Sequence, residues 1–258
     1  MIRDQETLNL LLDTISRFVR ERLVPHEAHV AETDRIPDEL VADMKALGLF
    51  GLSIPEEHGG MGLTMEEEVL ATFEIGHTSP CFRSLFATNN GIGGQGIVID
   101  GTPEQKARYL PKLVTGEFIG AFALTEPDSG SDAASLRTTA VRNGDFYVLN
   151  GTKRYITNAP EAGIFTVMAR TDPARKGADG ISAFIVERGT PGLSFGQPDE
   201  KMGHKGSHTC DVIFEDCRVP AANLIGATEG IGFKTAMKVL DKGRINIAAI
   251  SVGVAERM

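Results

Sequence analysis

At about residue 118 the spacing of apolar residues changes from a helical period to an alternating one, and near Gly230 it changes back. Side chains three and four apart share a helix face, whereas those two apart share a strand face, so the chain can be neither one bundle nor one sheet. Before the switch, Leu8, Leu11, Leu12, Ile15, Phe18 and Val19 form a helical stripe, and Pro25 ends that helix or starts the next. Pro37 opens another, with Leu40, Val41, Met44 and Leu47 on one face and Gly48 placed to cap it in a left-handed conformation. Thr64-Met-Glu-Glu67 and Thr102-Pro-Glu-Gln105 are capping boxes, the second with Pro103 at the first helical position.

After the switch, Asn143-Gly144 separates the β-prone runs 138–142 and 146–149, a strong hairpin signal. Asn150-Gly151 reads as a second turn, and 164–169, 181–186 and 210–214 are further strands between Gly, Pro and Asp clusters. Five or six short strands of this kind predict an antiparallel barrel or sandwich. From Gly230 helical spacing resumes, but Ile245, Ile247, Ala248, Ala249, Ile250, Val252, Val254 and Ala255 leave hardly any polar face. Such a helix needs neighbours all round, yet the sequence stops at Met258. The N-terminal helices, another subunit, or a continuation lost by truncation would supply them. The expected class is therefore α+β: a helical domain over 1–117, a β-domain over 118–225, and the start of a second helical domain over 226–258.

At 258 residues with net charge −9, the chain lacks the basic surface that nucleic acid requires. No apolar run approaches the roughly 18 residues of a membrane span, and no signal peptide is visible. Cys81, Cys210 and Cys217 are sparse and odd in number, which predicts reduced thiols packed as small core residues in a cytoplasmic setting.

The stretch with most chemistry is Leu124-Thr-Glu-Pro-Asp-Ser-Gly-Ser-Asp132, which follows the apolar run 118–124. Pro127 fixes its own φ, Gly130 lets backbone approach a ligand, and Thr125, Ser129 and Ser131 bring hydroxyls. A buried strand opening into such a loop suits a flat polar ligand or an anion; the alternative is a surface turn bonded to its own backbone. Glu126 and Asp132 lie where an acid/base pair could be read, but nothing in their spacing demands one. His26 with His29, and His204 with His208, have the spacing of metal ligands but no companions to complete four.

Taken together these segments resemble the acyl-CoA dehydrogenase family. The loop at 124–132 resembles its flavin-contacting signature. Asn150-Gly-Thr-Lys-Arg-Tyr-Ile-Thr-Asn158 resembles its second flavin motif, and the glycine-rich stretch 52–63 resembles a loop of its N-terminal domain. Lys201-Met-Gly-His-Lys-Gly-Ser-His-Thr209, with Phe214 and Val219-Pro220, resembles its late β-domain pattern. Residues 232–244 resemble its substrate-lining helix, and 230–258 looks like the first helix of its C-terminal four-helix domain.

The resemblance implies an FAD enzyme that oxidises an acyl-CoA to the trans-2-enoyl-CoA and passes electrons to an electron-transfer flavoprotein, as a homodimer or homotetramer. It implies flavin contacts from Phe122, Ala123, Leu124, Thr125, Gly130, Ser131, Tyr155, Ile156 and Thr157. It implies acyl-CoA contacts from Ser131, Asp241 and Arg244. Phe122 stands where Tyr is common and Tyr155 where Trp is common. Some members carry their catalytic Glu just before the Arg of the substrate helix; here that position is Gly243, so no catalytic carboxylate is assignable and the base is expected beyond Met258. The same scaffold also serves acyl-CoA oxidases, and a chain without a base suits a non-catalytic binding module. Gly91, Gly93, Gly94 and Gly96 interrupt a helix that in relatives floors the acyl pocket, and a packing or pocket reason is expected for them.

Overall fold

The computed structural model describes residues 4–175 and 177–258. Seven α-helices precede the sheet: α1 (Gln5–Phe18), α2 (Glu27–Thr33), α3 (Asp38–Ala46), α4 (Met65–Ile75), α5 (Pro80–Asn90), α6 (Gln95–Asp100) and α7 (Pro103–Val114). Pro25 neither stops nor restarts a regular helix, because a π-turn at Val19–Leu23 and a 3-10 turn at Val24–His26 carry α1 into α2. Gly48 takes the left-handed conformation expected of it, φ 71°. Both capping boxes are formed, at Thr64 with Glu67 and at Thr102 with Gln105. The glycine run separates α5 from α6. A Cβ on Gly93 would meet the backbone carbon of Gly120 at 2.8 Å, so this glycine lets the helical layer touch the first strand.

The strands are β1 (Gly120–Ala123), β2 (Thr139–Asn143), β3 (Phe146–Thr157), β4 (Ile164–Arg170), β5 (Ile181–Glu187), β6 (Leu193–Phe195) and β7 (Thr209–Pro220). They form one seven-stranded sheet in the order β1-β4-β2-β3-β7-β6, with β5 beside β4. Antiparallel ladders dominate, but β1 runs parallel to β4, as does β2 at the single pair Thr139–Arg170. The sheet is therefore mixed rather than wholly antiparallel. Asn143-Gly144 turns β2 into β3 as expected, with Gly144 at φ 61°. Asn150-Gly151 does not make a turn. There β3 runs on through an irregularity of the β3–β7 ladder, and a Cβ on Gly151 would meet Thr138 Cα at 2.8 Å.

The strand alternation sorts side chains between two cores. From β1, β4 and β5, Ala121, Ala123, Phe165, Val167, Phe184 and Val186 fill the interior of the sheet. From the same strands Ile164, Met168, Ile181 and Ile185 face the helices, together with Leu124. Strands buried on both faces read as continuous apolar runs, as β4 and β5 do. The last helix, α8 (Gly232–Arg257), packs on this seam through Ala236 and on α4 through Ile250 and Gly253. Its other side leaves Ile245, Ile247 and Val252 exposed, so the N-terminal helices cover it only in part. The three cysteines are free and buried, and burial pushes the Cys210 and Cys217 thiols up to about 11.

Candidate active site

The two motif stretches meet through a break in the β3–β7 ladder. Lys153 pairs with Val212 and Ile156 with Cys210, so Arg154 and Tyr155 together oppose the single residue Asp211. Such a bulge bends the strand and releases a backbone donor. The released Arg154 N–H donates to the Thr125 carbonyl at 2.8 Å, which pins the loop after β1 to β3. Tyr155 pays for this geometry with a left-handed φ of 60° and stands 62% exposed, with the Arg154 guanidinium 4.3 Å from its ring centroid. Arg154 is itself held by Asp199 at 2.7 Å and Asp211 at 2.9 Å.

Beneath the loop lies a buried ion pair absent from the sequence reading. Lys153 Nζ is 2.8 Å from Glu126 Oε1 and donates to the Leu124 carbonyl at 3.1 Å. Glu126 also accepts the Arg137 N–H at 2.6 Å and the Thr138 N–H at 2.9 Å. Burial alone would raise the Glu126 pKa, but the Lys153 charge and these donors outweigh it and hold the carboxyl below its usual range. Every bond that Glu126 makes serves to close the loop, which leaves it no proton-transfer task. Asp132 is exposed, and its carbonyl accepts from Ser129 and Ser135.

Thr125, Gly130 and Ser131 from the loop, and Tyr155, Ile156 and Thr157 from β3, wall one cavity of about 500 Å³. Phe122 and Leu124 complete its inner wall, and Phe233, Met237, Leu240 and Arg244 of α8 close the opposite side. The hydroxyls of Thr125, Ser131 and Thr157 make no hydrogen bond among the described residues, whereas Ser129 is bonded within its own loop. Free donors on one wall and an exposed aromatic ring beside them fit a flat, polar-edged heterocycle, so the residues present suit a flavin. Two expected contacts lie outside the cavity wall. Ala123 turns into the sheet interior because strand alternation sends only its neighbours Phe122 and Leu124 toward α8. Asp241 is exposed and pairs with Arg244, which alone of the two reaches the cavity.

A second cavity of about 430 Å³ adjoins the first, sharing Ile92, Thr157, Leu240 and Arg244. Its further wall is α5, presenting Arg83 and Ala87, together with Gly91 just past the helix end, with Gly243 and Ile247 of α8 opposite. No carboxylate of the described residues lines it. Asn158 joins the cavities: its side-chain amide donates to the Ser84 and Leu85 carbonyls and to Thr88 Oγ1, clamping the end of β3 to α5. Lys153 and Asn158 were visible in the second motif, but nothing local in the sequence showed what they hold. Arg83 and Ile92 gave no signal beyond their helical spacing. His204 donates to or accepts from Ser84, and His208 bridges Glu161 and the Asp34 carbonyl, so each joins the β-domain to the helices.

Comparison with known proteins agrees with this architecture. Residues 5–117 match the acyl-CoA dehydrogenase N-terminal domain and residues 121–217 its middle domain. An acyl-CoA dehydrogenase of Bacillus subtilis is 44% identical over 239 residues, 93% of this chain and 62% of that protein. A solved structure described for the electron transferring flavoprotein of Acidaminococcus fermentans matches all of this chain and 67% of its own, at 41% identity and a TM-score of 0.93. An acyl-CoA dehydrogenase of Bacillus anthracis, solved with FAD, matches all of this chain and 45% of its own, at 36% identity and a TM-score of 0.88. The chain belongs to the acyl-CoA dehydrogenase family. It spans a little under two thirds of the length of the first curated relatives it matches.

Proposed function

We propose that the intact protein is an FAD-dependent acyl-CoA dehydrogenase that converts an acyl-CoA to its trans-2-enoyl-CoA, with an electron-transfer flavoprotein as electron acceptor. The observation that carries this reading is the meeting of Thr125 and Thr157, from separate segments, on the wall of one cavity that opens into a second, mostly apolar one. FAD would supply the hydride acceptor. Thr125 and Thr157 would donate to its edge, fixed donors being most effective where negative charge develops. Tyr155 would cover its face, with Gly130 and Ile156 bordering it. Ser131 and Arg244 would border the thioester arm, and Ile92, Gly91 and Gly243 the acyl chain. Removal of the α-proton needs a carboxylate, and Gly243 has no side chain to offer one. We assign no base within these residues, so this stretch alone binds without turning over.

Titrating the purified chain with FAD tests the reading. Bound flavin should show a perturbed absorption band that shifts again when acyl-CoA is added and does not bleach. A folded chain that leaves the flavin spectrum unchanged removes the reading. Rapid bleaching by acyl-CoA overturns the missing base, and peroxide released from the intact protein turns the reading toward an oxidase.

A further inference from the structure

Neighbouring residues of a regular strand point to opposite faces, so Arg154 and Tyr155 could not stack on each other in an unbroken β3. The bulge removes that restriction. With both residues opposite Asp211 and Tyr155 at φ 60°, the Arg154 guanidinium comes over the Tyr155 ring, 4.3 Å from its centroid. Two carboxylates keep it there: Asp199, between β6 and β7, at 2.7 Å and Asp211, within β7, at 2.9 Å. Asp199 is fixed in turn by Thr209, whose hydroxyl donates to it at 2.7 Å. Tyr155 borders the first cavity and Arg154 does not. The ring is therefore backed by a clamped cation from outside the cavity.

An exposed aromatic side chain has rotamer freedom that a ligand must remove on binding. A guanidinium over its face holds the ring beforehand, by an attraction equivalent to about a twofold to fivefold change in an equilibrium constant. It also brings charge. A heterocycle stacked on Tyr155 would lie ~4.5–7 Å beyond the ring, which leaves it about one Debye length from the guanidinium. Two carboxylates and one guanidinium give the cluster a net charge of −1, and without Arg154 it is −2. Reduction adds negative charge to a flavin, so a more negative cluster beside it disfavours reduction.

We infer that Arg154 is a positioning residue for the flavin, presetting the plane of Tyr155 as a stacking surface and raising the reduction potential of the bound flavin by its charge. The inference rests on the proposed reading of the first cavity as a flavin site. The test titrates the purified chain with FAD by fluorescence and measures the midpoint potential of the bound flavin against reference dyes. Arg154→Met should weaken FAD about twofold to fivefold and lower the potential. Arg154→Gln, which can still bond one aspartate but carries no charge, should lower the potential likewise and decides the matter should the Met variant not fold. Arg154→Lys keeps the charge without the planar fork, so its potential should stay near the wild-type value. With Tyr155→Leu in place, Arg154→Met should no longer weaken FAD, because the effect on affinity runs through the ring. A potential unchanged or raised in the neutral variants overturns the inference, as does an equal loss of affinity in the Leu background, and either leaves the flavin reading standing. If the wild type does not bind FAD, the reading of the site falls and takes the inference with it.

Discussion

The two adjoining cavities are built on opposite principles. The first is walled by a loop, a strand and α8, and its shape depends on a bulge, whose Tyr155 lines the space, and on a buried ion pair that does not touch it. The second is a cleft between two helices, α5 and α8, whose width depends on what the facing positions omit, at Gly91 and Gly243. The difference teaches that the first should fail through its supports and the second through its lining.

The largest effect should come from the supports of the first cavity. Lys153→Met leaves Glu126 charged, buried and unpaired, and should lower stability by about 3–5 kcal/mol in urea unfolding. Combining it with Glu126→Gln should lose less than the two singles added together. Additive losses would show that the pair does not act as a unit. Next is a contrast of two glycines. Gly93→Ala pushes a methyl into the Gly120 backbone and should cost about 1–3 kcal/mol. Gly243→Ala has only Ile92 Cγ2 near it, at 3.6 Å, and should gain up to ~1 kcal/mol from helix propensity while weakening acyl-CoA binding. Equal losses of stability in the two would erase the distinction between packing and lining.

Smaller effects should follow from the cavity wall itself. Thr125→Ala and Thr157→Ala should each weaken FAD by about 0.5–1.5 kcal/mol in fluorescence titration, with the unfolding midpoint unchanged. The smallest involves His208, whose carbonyl accepts the Asn158 N–H beside the clamp joining the two cavities. Burial lowers its pKa, but the bonds to Glu161 and Asp34 outweigh this and raise it above 6.5. A raised histidine stabilises fully below pH 6.5, and that stabilisation fades as pH climbs through the folded-state value. The wild type should therefore lose a little stability in that window, and His208→Gln should show a flatter profile.

Most of the helical layer was legible because its signals are local: a capping box needs four residues, and both were formed. The Asn143-Gly144 hairpin was legible for the same reason. Asn150-Gly151 carries the same dipeptide and is no turn, because its glycine answers to Thr138 across the sheet, a contact that no window of sequence contains. The parallel pairing of β1 with β4 joins segments more than 40 residues apart and left no local trace either. In the site, hydroxyls and the aromatic ring could be read from two motifs. The ion pair that supports them could not, because Glu126 and Lys153 each read as ordinary members of a polar run. Arg83 was hidden for a simpler reason: an arginine on a helix usually points to water.

The bulge at Arg154 and Tyr155 acts as a parity setting for everything downstream of it on the strand. Removing one of those two residues would restore a regular ladder and keep nearly all of the motif's composition. It would also exchange inside for outside at positions 156 and 157, sending a hydroxyl into the apolar interior and leaving an isoleucine to meet the heterocycle. Substitutions at this spot are thus tolerable wherever a left-handed residue fits, while any change in chain length there is not, so lineages should vary the letter at 155 and never the count.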